Sequence, residues 1–420
     1  MSSESRVYPN VGRRPGPWPQ RRRADPGHPT PPFISGAYSV QRRQFVSYAA
    51  TALAAPAFVR NALAQEGGIS GKSLTIGCSA ALSGPLAGFG TDLRQGAEAA
   101  IAQINARGGV NGRALQLHMV DDGYVPQRTI DNVKQMIGQG SAFALLSCVG
   151  TPNNTAILPV VEEAGMPYVA PLTGASSLRK NARNVFHVRA SYTDEVQRLV
   201  QRLVGMGVKD IGVVFLDNPY GRELLEDANR ALAAARGKAT VQAALSTDGK
   251  NLDAVLGQVG NARPAAVLLA TAGSATVPLV RGLKKTLPGV LMAGVSATLT
   301  SEGFRQLGDA GGGLAVTMVM PDPNKGKTAV VRDYQAAMKA RGQNDFNLGS
   351  LEGYVNMRVL AEGLERAGND PTRAKLRSAL AGIRNWDMGG FVVDYSGQAP
   401  YVGSRYIDLG VLGPAGRFLA

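Results

Sequence analysis

From Lys72 onward the chain alternates short apolar runs with longer stretches in which apolar residues recur every three to four positions. The runs Leu74–Cys78, Ala114–Val120, Ala142–Leu146, Tyr168–Ala170 and Val185–Val188 are predicted as strands. Between them, Thr91–Ala106, Gln127–Ile137 and a stretch carrying Ala156, Ile157, Val160, Val161 and Ala164 have helical spacing. A second series follows, with predicted strands at 211–216, 240–244, 265–269, 290–293 and 313–318 and predicted helices at 195–206, 222–235, 252–259 and 276–286. Predicted helices at 330–341, 350–366 and 372–380 and predicted strands at 391–394 and 404–409 close the chain.

Apolar strands with helices between them imply parallel sheets covered on both faces. Two such series predict an α/β protein of two doubly wound, Rossmann-like lobes. The late helices are too few for a third lobe, so they are expected to return to the first. Three chain crossovers follow, near Arg189, Pro321 and Gly382. The expected lobes are residues 70–188 with 322–380, and residues 189–321 with 381–420.

Residues 1–64 do not share this pattern. They hold nine arginines against Glu4 and Asp25, which is half of the net charge of +14. Residues 1–39 are rich in Pro, Arg and Gly and are expected to be disordered. Arg42-Arg43 then precedes a small-residue apolar run to Val59, and Ala62-Leu63-Ala64 forms an A-x-A cleavage site. That order reads as a twin-arginine-type signal peptide, so a periplasmic location is expected. The remaining charge is spread without a Lys/Arg block or interleaved aromatics, which argues against nucleic-acid binding.

Candidate chemistry is sparse. The two cysteines, Cys78 and Cys148, make no disulfide framework and are expected as buried free thiols. The three histidines are far apart, which excludes the common zinc patterns. No G-x-G-x-x-G follows the first strand, and neither a P-loop nor a G-x-S-x-G elbow occurs. No catalysis, cofactor or metal is expected. In an open parallel sheet, ligands bind where loops leave the carboxyl ends of strands. Two such loops are rich in small and hydroxyl residues: Ser147, Gly150 and Thr151, then Leu172-Thr173-Gly174-Ala175. Their N–H groups and hydroxyls suit one small anion beside a helix N-terminus. Ser83 and Gly84 follow the first strand. In the second lobe the loops 217–221, 271–274 and 294–296 are expected to face the same cleft.

Several segments in order resemble the branched-chain amino-acid (Leu/Ile/Val)-binding proteins of ABC transporters. They are Leu82–Gly90, Ile104–Gly112, Asp121-Asp122-Gly123-Tyr124, Ala164-Gly165-Met166-Pro167, Tyr220-Gly221 and Leu351-Glu352-Gly353-Tyr354. The resemblance covers about 350 residues. It implies the type I periplasmic binding fold, closure of two lobes on a small carboxylate ligand, and delivery to an inner-membrane permease by a monomer. It implies a ligand carboxylate held by Thr151, Thr173 and Ala175, an aromatic contact from Phe89 and a second-lobe contact from Tyr220. The family's acidic partner for the ligand ammonium falls on Ser296, and a second aromatic falls on Ala272. Asp122, Asp217 and Glu352 are candidate replacements for that acid. The alternatives are a non-amino ligand such as an aromatic or keto acid, and a sensor built on the same fold.

Overall fold

The computed structural model describes residues 66–180, 182–413 and 418–419, so the expected signal peptide lies outside the described residues. The first sheet contains β1 (Ser73–Ala80), β2 (Ala114–Asp121), β3 (Ala144–Leu146), β4 (Tyr168–Val169), β5 (Val185–His187) and the late strand β13 (Tyr401–Val402). Its strand order is β13-β5-β4-β3-β1-β2, and every pairing is parallel. Helices α1 (Ala87–Ala106), α2 (Pro126–Gly138) and α3 (Thr151–Glu163) link its early strands. The central strand β1 buries Leu74, Ile76, Cys78 and Ala80, whereas the edge strand β2 buries only Leu115 and mixes half-buried with exposed positions. That difference is what a position inside or at the edge of a sheet demands.

After helix α4 (Tyr192–Gly205) the second sheet repeats the plan. It contains β6 (Ile211–Leu216), β7 (Gln242–Leu245), β8 (Ala266–Ala270), β9 (Leu291–Gly294), β10 (Ala315–Met318) and β14 (Asp408–Val411). The order is β14-β10-β9-β8-β6-β7, with β14 antiparallel on β10. Helices α5 (Pro219–Ala234), α6 (Leu252–Ala262) and α7 (Thr276–Thr286) connect its parallel strands. A seven-residue helix α8 (Ser301–Leu307), not predicted from the spacing, follows β9; Thr300 caps it by accepting from Gly303 N–H at 3.1 Å. Both sheets share one plan, with the strand order reversing beside the first strand of each. The crevice at that reversal is where ligands bind in such folds.

The chain returns to the first sheet after β10, and Val319 and Met320 already pack in the first lobe's core. Helices α9 (Ala329–Ala340), α10 (Leu348–Ala367) and α11 (Arg373–Ala381) cover that sheet. The third passage differs from expectation. Residues 381–402 do not move to the second lobe at Gly382. The hairpin β11 (Trp386–Asp387) and β12 (Val392–Val393) forms there, and Met388, Phe391, Val393 and Tyr395 join the first core. The physical reason is the open edge of β5. β13 covers it, with Gly403 N–H donating to His187 O at 2.7 Å and Tyr401 stacked on Phe186 at 4.5 Å. An uncovered edge would leave a row of unpaired backbone groups. The chain reaches the second sheet only at β14.

Cys78 and Cys148 are free and fully buried, and Cys148 Sγ accepts from Ser79 N–H at 3.4 Å. No helix among the described residues is long and apolar enough to cross a membrane.

Helices α1 and α10 cross at glycines. A Cβ on Gly96 would lie 1.7 Å from Ser350 O, and one on Gly353 would lie 2.2 Å from Leu93 O. Gly96→Ala is therefore expected to destabilise the protein by about 1–3 kcal/mol, as overpacking does. Gly257, exposed within α6, has open space around it. Gly257→Ala is expected to stabilise by up to about 1 kcal/mol through helix propensity. Chemical denaturation of the two variants checks both signs.

Candidate functional site

The crevice between the sheets opens into a cavity of about 760 Å³. The size suits a small-molecule site, for which about 300–1,000 Å³ is usual. Its inner wall is formed by Gly150 and Thr151 at the start of α3, by Tyr124, and by Tyr192 and Tyr220 from the second lobe. Phe89 lines it beside Leu86. Ala272 and Ser296 line it from the loops after β8 and β9.

The start of α3 is built to leave donors free. Gly150 precedes the helix at φ +97°, and a Cβ there would lie 2.2 Å from the Tyr124 ring. No side chain caps the helix, as none caps α1, α2, α6, α7 or α9, whereas Ser191, Asn218, Thr300, Asn347 and Thr372 cap α4, α5, α8, α10 and α11. The first N–H groups of a helix have no intrahelical acceptor and must find one elsewhere. Behind the loop, Asn154 Nδ2 donates to Cys148 O and to Gly150 O, each at 2.8 Å, and Tyr168 hydrogen-bonds Asn154 Oδ1. Those buried bonds fix the loop in a shape that Gly150 alone would leave soft.

Thr151 and Thr173 meet there. Their hydroxyls are 2.8 Å apart, both side chains are buried, and Ala175 N–H donates to Thr173 Oγ1 at 3.2 Å. When Thr173 donates to Thr151, the Thr151 proton is left for an acceptor in the cavity. Each bond in such a chain polarises the next.

The second feature is a buried charge cluster. Arg189, which is 3% exposed, lines the cavity and pairs with Glu195 at 3.3 Å and with Glu352 at 3.5 Å. Glu195 is fully buried and accepts from Ser296 N at 2.8 Å, from Ser296 Oγ at 3.1 Å and from Thr317 Oγ1. Arg189 also donates to Ser296 Oγ, and its Nε has no acceptor among the described residues. Its guanidinium lies 5.2 Å from the Tyr192 ring centre, and Tyr192 meets Tyr220 edge-on at 5.4 Å. Burial disfavours the Arg189 charge, but Glu352, Tyr192 and Glu195 together more than offset this and hold its pKa above the ordinary value. Glu352 is raised above the ordinary carboxyl range, chiefly because burial strips its water, with Arg189 pulling the other way.

The residues expected from sequence divide into two groups. Phe89, Thr151, Tyr220 and Ser296 line the cavity. Ser83, Thr173 and Ala175 do not lie on its wall. Ser83 is exposed and donates to Asp121 Oδ2 at 2.6 Å, because its loop turns on that carboxylate. Thr173 stands one hydrogen bond behind Thr151, and the Ala175 amide is taken up by Thr173. Tyr220 presents its ring, since its hydroxyl donates to Thr271 O at 3.3 Å. The Ser296 hydroxyl is occupied by Glu195 and Arg189. Of the candidate acids, Asp217 is exposed and pairs with Arg222 at 2.7 Å. Asp122 is buried against Ser79, Thr129 and the Tyr124 amide. Glu352 alone of the three lines the cavity. Arg189, Tyr124 and Tyr192 were missed. Arg189 directly after an apolar strand was the one available signal, and it was read only as a crossing point.

The two lobes also touch around the cavity. Glu223 on α5 accepts from Ser176 N–H at 2.5 Å and from Ser177 Oγ at 2.7 Å. Asp92 on α1 accepts from Ser301 N–H at 3.2 Å and from Ser301 Oγ at 2.8 Å. Ser274 N–H donates to Pro85 O at 3.1 Å.

Comparison with known proteins agrees with this architecture. The periplasmic binding protein family matches residues 73–399. The Leu/Ile/Val-binding protein homolog 3 of Brucella melitensis biotype 1 is 26% identical over 310 residues, which is 73% of this chain and 83% of that protein. A substrate-binding periplasmic protein from Ralstonia solanacearum superposes with a TM-score of 0.75 at 32% identity, covering 82% of this chain and 99% of the other. An extracellular ligand-binding receptor from Verminephrobacter eiseniae ef01-2 gives 0.75 at 26% identity, over 83% of this chain and all of its own. With its two matching sheets and the cleft between them, the chain belongs to the periplasmic binding protein family, and within it is similar to the Leu/Ile/Val-binding proteins.

Proposed function

We propose that this protein is the extracytoplasmic solute receptor of an ABC-type importer and binds a small carboxylate, a branched-chain or related amino acid, between its lobes. The observation that carries this reading is the Thr151–Thr173 hydroxyl pair beside the uncapped start of α3, on the wall of the cavity. An anion there receives a hydroxyl proton and free helix N–H groups, and the helix field favours its charge. The ligand side chain then lies against Phe89, Tyr220 and Ala272. The similarity to Leu/Ile/Val-binding relatives supports the ligand class. The expected partner is an inner-membrane permease, reached after export to the periplasm.

Binding works by selection of the closed state. A ligand that touches both lobes binds the closed form better, and only that difference in affinity drives closure. The contacts of Glu223 with Ser176 and Ser177 and of Asp92 with Ser301 are the latches that closure forms.

Titration calorimetry with L-leucine, L-isoleucine and L-valine tests the reading, together with mass spectrometry of ligand released from purified protein. Absence of binding to all three and of any released carboxylate would overturn it. Thr151→Val removes the terminal donor and is expected to weaken binding about tenfold, the worth of one hydrogen bond to a charged group. Thr173→Val should act in the same direction by breaking the relay behind it. Unchanged affinity in both variants would exclude the relay.

Glu223 lies outside the cavity wall, so Glu223→Ala should lower affinity without touching ligand. The expected loss is about tenfold, with small-angle scattering showing a larger open fraction at subsaturating ligand. A variant that binds and closes like the wild type would show that this latch carries no closure energy.

A further inference from the structure

Among the charged groups at the deep end of the cleft, one carboxylate has no hydrogen-bond donor. Glu195 is fully provided for: it accepts from Arg189, from the Ser296 amide and hydroxyl, and from Thr317. That pairing balances the Arg189 charge. Glu352, on the first turns of α10, meets Arg189 only as an ion pair at 3.5 Å and has no hydrogen bond among the described residues. It is 6% exposed and lines the cavity. Arg189 is thus shared between two buried carboxylates, of which only Glu195 also receives hydrogen bonds. A buried carboxylate without a donor is expensive, and the cost is removed by a cation that also donates hydrogen bonds. The remaining charged groups on the wall do not fill this role. Asp92 is engaged with Ser301, Arg305 pairs with Asp345 at 2.6 Å, and Lys325 pairs with Asp322 at 3.3 Å.

We infer that Glu352 is the specificity-determining residue of the cleft: it receives a cationic nitrogen of the ligand, with Arg189 as the positioning residue that Glu195 and Ser296 hold in place. This rests on the carboxylate reading of the Thr151 end given above. The two ends together select a zwitterion, with its carboxylate at α3 and its ammonium at α10. The function of the acid that resemblance places at position 296 has moved to a helix of the opposite lobe. The Ser296 hydroxyl and amide are left to orient Glu195. The ligand class is therefore an amino acid, and a keto or aromatic acid of the same skeleton is rejected because it brings Glu352 no hydrogen-bond donor.

The test compares L-leucine with 4-methyl-2-oxopentanoate, which keeps the skeleton and carboxylate but carries a carbonyl in place of the ammonium. Calorimetry on the full chain should give leucine a preference of about tenfold or more, the scale of one charge-assisted pair. Glu352→Gln keeps the shape and removes the charge, and should abolish that preference chiefly by weakening leucine. Glu352→Asp should retain part of it. A merely structural role for Glu352 would weaken both ligands alike and leave their ratio unmoved, which overturns the inference. A wild type that prefers the oxo acid also overturns it, while leaving the carboxylate site of the previous section standing. Failure of both compounds, and of the other branched-chain amino acids, to bind the wild type would take down that site and this inference together. Should Glu352→Gln not fold, the wild-type ratio and the Glu352→Asp ratio decide the matter.

Discussion

The ion pair between Arg189 and Glu195 is the interaction on which the cleft depends. It joins the chain leaving β5 to the first turns of α4, where the backbone first passes between lobes. Glu195 then gathers Ser296 from the loop after β9 and Thr317 from β10, while Arg189 reaches back to Glu352 on α10. Three segments of the second lobe and two of the first are thereby held to one buried point. Such a pair is poor evidence for stability in itself, because desolvating both charges costs about as much as their attraction returns. Removing Arg189 is a different matter and leaves buried carboxylates uncompensated, at a cost of about 3–5 kcal/mol. The arrangement therefore specifies geometry more than it adds stability. Ser296 cannot move without breaking bonds to both partners.

The opposite end of the cleft is organised by absence of a cap. Among the described residues five helices close their first turn with a Ser, Thr or Asn side chain, and α3 is one of six that do not. Pro152 removes one N–H from the first turn, and Gly150 takes a conformation that brings the backbone against the Tyr124 ring. Gly150 and Thr151 line the cavity, where a ligand anion would be the missing acceptor. The two ends thus share one physical logic, in which groups ordinarily satisfied within the protein are left incomplete at the cavity wall. Neutral donors and a helix field stand at one end, and a carboxylate with an ion pair but no hydrogen-bond donor stands at the other.

Much of the fold was legible because its strands are short, apolar and separated by helical spacing, and a parallel sheet buries such strands on both faces. The late segment was misread for a physical reason. Phe391 and Val393 look like any strand pair, and nothing local says that the β5 edge needs a cover. That need exists only once the first sheet is assembled. Helix α8 escaped because seven residues with one glycine show no usable period. At the site, Thr151 and Phe89 were legible from their place after strands three and one. Thr173 was legible as a partner but not as one removed from the wall, since that depends on which hydroxyl stands in front. Ser83 looked like a ligand contact because it follows strand one, and Asp121 claims it instead. Arg189 carried little signal, for its partners lie 6 and 107 residues away and on a distant helix. A buried charge cluster is a property of the fold, and the chain order hides it.

Where the charge cluster sits bears on how closure and recognition are coupled. Coulomb attraction between unit charges grows severalfold as the surroundings change from water to the partly dry interior of a protein. If Glu352 receives the ligand's cation as proposed, it is hydrated in an open cleft, where its lack of a donor costs little. As the lobes meet, water leaves, and the same carboxylate becomes costly unless a cation has come with the ligand. An empty closed state is thereby disfavoured, and a closed state holding the wrong acid is disfavoured too. The Asp92 and Glu223 contacts act the other way and favour closure whatever the cleft contains. Their worth must stay below the penalty at Glu352 for the empty protein to remain open. On the proposed reading a receptor arranged like this reads charge at the moment of closing, so discrimination and conformational change are one event, set by a single buried carboxylate and the guanidinium that orients it.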